Sequence, residues 1–189
     1  MSKHGEETGK FGLKLRKYLN KPSYNQVFTV FYDHGDKQHD PNVAVIKGFC
    51  GRKVANKNRL ADIDVMVVNN NNEIILLIEI EESAMPPKKL LGNAFAILMC
   101  NKFAVRTDNE QKYYTISPES KLIIAGVVPT HGDGQQKIEE VIKPRMKQFS
   151  VPSDTIQIEN ISIVFENDIS KTLDTLTRKV TDVFSKEVI

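Results

Sequence analysis

The 189-residue chain has only two cysteines, Cys50 and Cys100. Their spacing makes no metal-ligand pattern, and so few thiols fit a reducing compartment, with both read as small buried hydrophobes. No apolar run approaches the roughly 18 residues needed to span a bilayer. The segment MSKHGEETGK lacks the apolar stretch of a secretory signal, so the expected compartment is cytoplasmic. The four histidines, His4, His34, His39 and His131, make no helix or zinc-finger pair and are expected at the surface. THGDGQQK has two glycines but no phosphate-loop pattern, so it reads as a turn.

Net charge is also scarce, at 26 − 24 = +2, but the charges are not evenly spread. Lys10, Lys14, Arg16, Lys17 and Lys21 form one acid-free basic stretch, and Lys47, Arg52, Lys53, Lys57 and Arg59 form another. Each stretch is either a solvated surface or a stripe that neutralises phosphates. Apolar residues at 40% and charged residues at 26% are ordinary for a globular protein, and the length suits one domain spanning 1–189.

Apolar periodicity predicts an amphipathic helix over 5–19, with Phe11, Leu15 and Leu19 on one stripe, although Gly9 and Gly12 weaken it. QVFTVFY (26–32) reads as a strand, 33–42 as a loop, and 43–49 as a short strand before the basic loop RKVANKNR. ADIDVMVV (61–68) and EIILLIEIE (73–81) read as strands joined by four asparagines, hence as an antiparallel hairpin. Pro86 and Pro87 start a helix over about 88–101, apolar nearly all round and expected against the sheet. A hairpin near 103–116, a strand at 121–128, a helix at 134–149, a strand at 155–165 and a helix at 169–186 complete the pattern. The order α-β-β-β-α-β-α-β-α predicts an α/β fold with a central mixed sheet flanked by helices.

The hairpin carries the chemistry. Residues two apart on a strand share a face, so Asp62 pairs with Asp64 and Glu79 with Glu81. With Val68 opposite Glu73, Asp62 falls opposite Glu79 and Asp64 opposite Leu77, and all four acids share one face. The run Ile74–Ile78 is wholly apolar, the mark of a strand covered on both sides. Carboxylates at its end are partly desolvated and repel one another. A divalent cation resolves that conflict, and oxygen ligands suit Mg²⁺ or Mn²⁺ better than Zn²⁺. A metal held by such acids can activate water and stabilise charge on a phosphate.

ADIDV followed by IEIEE, with fourteen residues between Asp64 and Glu79, resembles the PD-(D/E)xK nuclease superfamily. That family places an acid on one strand and acid-x-lysine on the next, with a helix packed behind. The likeness extends over about 5–128 by element order and over 62–82 by motif. It implies a restriction endonuclease-like αβββαβ core and a Mg²⁺-dependent endonuclease acting on DNA, similar to type II restriction enzymes, as a homodimer or with a partner subunit. Asp64 takes the first acid and Glu79 the second. Glu81 stands where lysine is usual, although some restriction endonucleases of the family also have Glu there. The lysine's role then passes to Lys88 or Lys89. Asp62 and Glu7 (or Glu6) are additional candidate metal ligands, and Arg52, Lys53, Lys57 and Arg59 candidate DNA contacts. The alternative is a nuclease-like fold that no longer cleaves and serves as a nucleic-acid-binding or assembly subunit.

Overall fold

The computed structural model describes residues 5–21, 28–51, 53–108, 110–130 and 132–185, and the backbone but not the side chain at 118. Arg52, His4 and His131 therefore lie outside the described residues, as do the expected beginning of the first strand and end of the last helix.

Helix α1 runs Glu6–Leu19 and buries Phe11, Leu15 and Leu19, the expected stripe. Strands β1 (Thr29–Tyr32) and β2 (Val45–Phe49) follow. After a 3-10 turn at Asn56–Asn58 come β3 (Arg59–Ile63), β4 (Val65–Val68) and β5 (Glu73–Ala84). Helix α2 (Pro87–Leu98) leads to β6 (Lys102–Arg106) and β7 (Gln111–Val127). Then α3 (Gly134–Lys137), a π-helical turn (Ile138–Ile142) and α4 (Lys143–Met146) precede a 3-10 turn (Ile158–Asn160), β8 (Ile161–Glu166) and α5 (Ile169–Ser185). The fold is mixed α/β. Among the described residues the strands form one eight-stranded mixed sheet, in the order β1-β4-β5-β7-β6-β2-β3 with β8 also beside β7.

Several details differ from the sequence expectations. The hairpin and the strand expected at 103–128 share a single long strand, β7. It bulges where Ser120 Oγ donates to the Ile74 carbonyl and accepts from the Ser117 backbone N–H. Its first half pairs antiparallel with β6 and its second half parallel with β8. The helix at 134–146 is broken by its π turn just before Pro144, whose ring nitrogen cannot donate to the preceding turn. The strand near 155–165 begins only at Ile161, after the 3-10 turn. Helix α2 buries one face, through Leu90, Ala94, Ile97 and Leu98, and leaves Met99 exposed just beyond its end.

Helices α1 and α5 cover one side of the sheet, packing Phe11, Leu15, Leu176, Val180 and Phe184 on Val65, Val67, Leu76 and Ile78. Helix α2 and the 138–146 segment cover the other, over Ile46, Ile63, Met66, Leu77 and Phe103. Gly9 and Gly12 have a packing role: a Cβ at Gly9 would strike the His34 carbonyl, and one at Gly12 the Tyr32 side chain. The low helix propensity of glycine is offset by that close approach of α1 to β1.

Two acids tie α1 down. Glu82 accepts from the backbone N–H of Gly5 (3.2 Å) and Thr8 (2.7 Å), so a carboxylate from β5 caps the positive end of α1. Asp40 accepts from Tyr32 Oη at 2.5 Å and pairs with Arg16 at 2.5 Å. Burial alone would raise the Asp40 carboxyl. The Tyr32 hydroxyl, the Asn42 N–H and Arg16 outweigh it and hold the group below its ordinary range. Arg16 is thus committed to a structural pair. We expect Arg16→Met to destabilise the protein by about 3 kcal/mol in urea unfolding, the scale for stranding one member of a buried pair. A change within about 0.5 kcal/mol, the range of an ordinary surface substitution, would place Arg16 outside the core network.

Candidate active site: half-buried carboxylates at a strand break

Strands β3 and β4 are consecutive pieces of one extended segment, interrupted at Asp64. Ile63 packs on the α2 side and Val65 on the α1/α5 side, although residues two apart on a regular strand share a face. The alternation slips once, at Asp64, as at a β-bulge. β3 pairs with β2, while β4 pairs with β1 and β5. The break is held on both sides. The Asp64 carbonyl accepts from the Asp33 N–H at 2.8 Å, and Asp64 Oδ2 accepts from the Ile80 N–H at 2.6 Å.

The hairpin is antiparallel, but its register differs from the expected one. Val65 lies opposite Ile78 and Met66 opposite Leu77, a shift of two residues that brings Asp64 level with Glu79. The cause is a turn one residue shorter, closed where Asn69 N–H donates to the Glu73 carbonyl, followed by an irregularity between Val67 and Val68 that leaves Ile75 without a partner in the register. A two-residue shift preserves the face, so Asp64, Glu79 and Glu81 remain on the α2 side.

Asp62 does not join them. It lies opposite Lys47 on β2, is 61% exposed and forms an ion pair with Arg59. The expectation that Asp62 faces Glu79 fails because of the slip at Asp64. Its charge is nevertheless felt at Glu79. Glu7 pairs with Lys10 at 2.8 Å and borders a groove between α1 and α5 with Ser170 and Asp174. Glu6 pairs with the same lysine at 2.9 Å. On the side of α1 facing β5, the acid in contact is Glu82, which sequence reasoning missed.

Glu81 is engaged by α2. Lys89 Nζ lies 3.1 Å from both carboxylate oxygens, and Asn93 Nδ2 donates to Oε1 at 3.1 Å. The neighbour of Glu81 across the parallel ladder is Gly126, whose missing side chain leaves room for Leu90 and lets α2 approach. Lys88 is exposed, with no ion pair among the described residues. Of the two candidate lysines, Lys89 is the one that reaches the acids.

Burial, first, pushes the Glu79 carboxyl up to about 9, reinforced by the charges of Asp64, Glu81 and Asp62. Burial likewise raises Asp64 to about 6, with Asp33 and Glu81 adding to the rise and the Ile80 N–H and His34 opposing it. Asp33 and His34 are site neighbours without a sequence motif. The one local signal is a positive φ of 59° at His34, which no composition rule reveals. Cys100, pushed up to about 12 by burial, is an inert core thiol, and Cys50 is only partly buried.

The donors at the break are carboxylate oxygens carrying more negative charge than their surroundings neutralise. That donor set fits a hard divalent cation such as Mg²⁺ or Mn²⁺. Among the described residues, no three His, Cys, Asp or Glu side chains already stand as a closed metal-holding group. Glu81 is turned to Lys89 and Asn93, leaving Asp64 and Glu79 as a half-buried pair. Of the candidate nucleic-acid contacts, Lys53 and Lys57 lie on the exposed loop before β3, and Arg59 opens β3 in its pair with Asp62. No helix among the described residues is long and apolar enough to cross a membrane. No family model, no curated protein and no solved structure matches the chain.

The raised carboxyls make a stability prediction with a definite sign. Above about pH 4 an unfolded glutamate releases its proton, whereas folded Glu79 keeps it until about pH 9. The folded state then binds more protons, so stability falls as pH rises across that window. Asp64 adds its share only up to about pH 6. In EDTA, Glu79→Gln should flatten this slope and raise Tm at pH 8. An unaltered slope would mean that Glu79 ionises freely in the fold.

Proposed function

We propose that the chain is a divalent-metal-dependent nuclease that hydrolyses phosphodiester bonds in DNA, with a restriction endonuclease-like αβββαβ core. The observation that carries this reading is the half-buried pair Asp64–Glu79 at the strand break, with no ion pair to either acid among the described residues and adjacent to the Lys89-bound Glu81. The element order supports it: α1 precedes the strands that bear the acids, and α2 crosses from β5 toward the parallel strand β7. Perturbed carboxyls beside a positioned lysine are a common property of catalytic sites.

In this reading Asp64 and Glu79 hold Mg²⁺ or Mn²⁺. A divalent cation there polarises the phosphoryl group and acidifies the attacking water. Asp64 is oriented by the Ile80 N–H, which fixes the oxygen that remains free. Glu81 accepts the proton of a water molecule or holds the metal, and Lys89 supplies the positive charge that the family's motif lysine provides. One chain presents one such pair among its described residues, so cutting both strands of a duplex takes a second copy or a partner subunit.

The second reading is a non-cleaving nucleic-acid-binding subunit. It is favoured by Glu81 in the lysine position and by the pairing of Lys89 with that glutamate. Plasmid cleavage in Mg²⁺ and in Mn²⁺ separates the two. Asp64→Asn and Glu79→Gln should abolish cleavage, and Lys89→Ala should lower turnover by about tenfold to a thousandfold, the scale of one electrostatic contact to a transition state. A wild-type chain that binds DNA but cuts in neither metal would establish the second reading.

Metal binding has a readout independent of activity. Near neutral pH Glu79 still carries a proton that a bound cation must displace. Calorimetry in buffers of different ionisation enthalpy should therefore report release of about one proton per Mn²⁺ at pH 7.5, absent in Glu79→Gln. Binding without proton release would assign the metal to other ligands.

A further inference from the structure

Helices α1 and α5 cover their side of the sheet over β1, β4, β5, β8 and the second half of β7. Over β2, β6 and the first half of β7 neither helix covers that side, and it carries a cross-strand row of Lys47, Ala104 and Tyr113, of which Ala104 is only 6% exposed. Arg106 stands beside this row on β6, over the register Val45–Arg106–Gln111. Tyr113, at the end of the row, is 57% exposed, with its hydroxyl accepting from Gln111 Nε2 at 2.7 Å. A cleft of about 200 Å³ opens here, floored by Val45, Phe49 and Ala104 and closed on one side by the 54–56 loop.

The charges are of one sign where they are not already paired. Arg59 is paired with Asp62, and Lys112 with Glu110. Neither Lys47 nor Arg106 is in an ion pair among the described residues, and exposed Lys53 and Lys57 lie on the loop that borders the cleft. An open sheet face of this kind costs solubility if it is merely apolar. Here an exposed ring, a small-residue gap and unpaired cations stand together.

We propose that this open face of β2, β6 and β7 binds single-stranded nucleic acid, a base stacking on Tyr113 over Ala104 while Lys47 and Arg106 neutralise flanking phosphates. Ring stacking needs an unpaired base, which a duplex does not offer, and backbone cations beside an aromatic platform are how sequence-tolerant single-strand binding is built. An acidic peptide would satisfy the cations but has no use for the ring. Beyond Lys47 in the row comes Asp62, itself paired with Arg59, and the row lies on the side of the sheet opposite the one that carries Asp64 and Glu79. The inference therefore goes beyond the nuclease reading and assigns a second surface, separate from the Asp64–Glu79 pair.

The test is fluorescence anisotropy with a labelled oligothymidylate of about twelve nucleotides, within the usual site size. It is run in EDTA on the Glu79→Gln protein so that nothing is cut. The single strand should bind more tightly than a duplex of equal length. Tyr113→Ala should weaken single-strand binding about tenfold and leave the duplex unchanged, with Tyr113→Phe close to the parent. Lys47→Ala and Arg106→Ala should each lower the slope of log affinity against log salt by about 0.7. A Tyr113→Ala protein that binds like its parent, or displacement of the strand by oligoglutamate at equal charge, would overturn the proposal. Its failure is separable from that of the nuclease reading. Tyr113-dependent binding without cleavage by the wild-type chain in Mg²⁺ removes the latter alone, and wild-type cleavage together with single-strand binding unaltered by Tyr113→Ala removes the former alone.

Discussion

Asp64 interrupts an otherwise continuous strand, and most of the architecture follows from how that interruption is satisfied. Its carboxylate takes the Ile80 N–H at 2.6 Å, and its carbonyl takes the Asp33 N–H at 2.8 Å. A side-chain oxygen thus replaces a backbone acceptor in the ladder. The extended segment can then bend, sending Arg59–Ile63 to one end of the strand order and Val65–Val68 to the place beside β1 at the other. An unsatisfied N–H at a buried break would cost on the order of 1–3 kcal/mol, so the acid is part of the fold as well as of the site. That coupling explains why the slip in alternation occurs at Asp64 and at no neighbouring residue.

The second constraint is the closeness of α1 to β1 and β5. Gly9 and Gly12 remove the side chains that would hold α1 away from Tyr32 and His34, and Glu82 fills the end of the helix with a carboxylate. Consecutive residues of β5 therefore do opposite work. Glu81 faces α2 and takes Lys89 and Asn93, whereas Glu82 faces α1 and takes Gly5 and Thr8. Both helices that flank the acids are anchored by side chains of the strand that bears them. The loop carrying Asp33 and His34 is trapped between α1 and the break, which brings their charges to Asp64.

Period-two alternation and a polar turn were enough to read the hairpin and to place Asp64, Glu79 and Glu81 on one side. A register error of two residues did no harm there, because two is the period. The same logic failed for Asp62, since a bulge has no signature in a run of alternating residues. The mixed sheet was legible in its element order, but β7 was expected as part of a hairpin ending near 116 and a separate strand from 121, with Ser117 and Ser120 in the gap between them. They are instead an internal bulge stitched by hydroxyl hydrogen bonds. Lys89 rather than Lys88, and Asn93 at all, depend on the angle at which α2 meets β5. That angle is set by the space over Gly126, a tertiary fact. Gly9 and Gly12 read locally as helix breakers and are packing devices in the fold.

The chain contains its own control for what a buried acid looks like when it is structural. Asp40 is 6% exposed, and it receives an arginine, a tyrosine hydroxyl and a backbone N–H, so that its carboxyl is held down despite burial. Asp64 and Glu79 are also partly withdrawn from water, yet their carboxyls are driven up, because burial and the neighbouring acids outweigh the groups that oppose them. The same chain that supplies Arg16 to Asp40 supplies Asp64 only the Ile80 N–H and the charge of His34, while Lys89 is engaged by Glu81. An arrangement that only stabilised the fold would gain by replacing Glu79 with a neutral residue, since burying an unpaired carboxylate costs several kcal/mol or forces it to stay protonated. On the proposed reading, two acids are kept where they repel because a positive group from outside the chain joins them. A divalent cation with a phosphate group answers that requirement in both charge and ligand type.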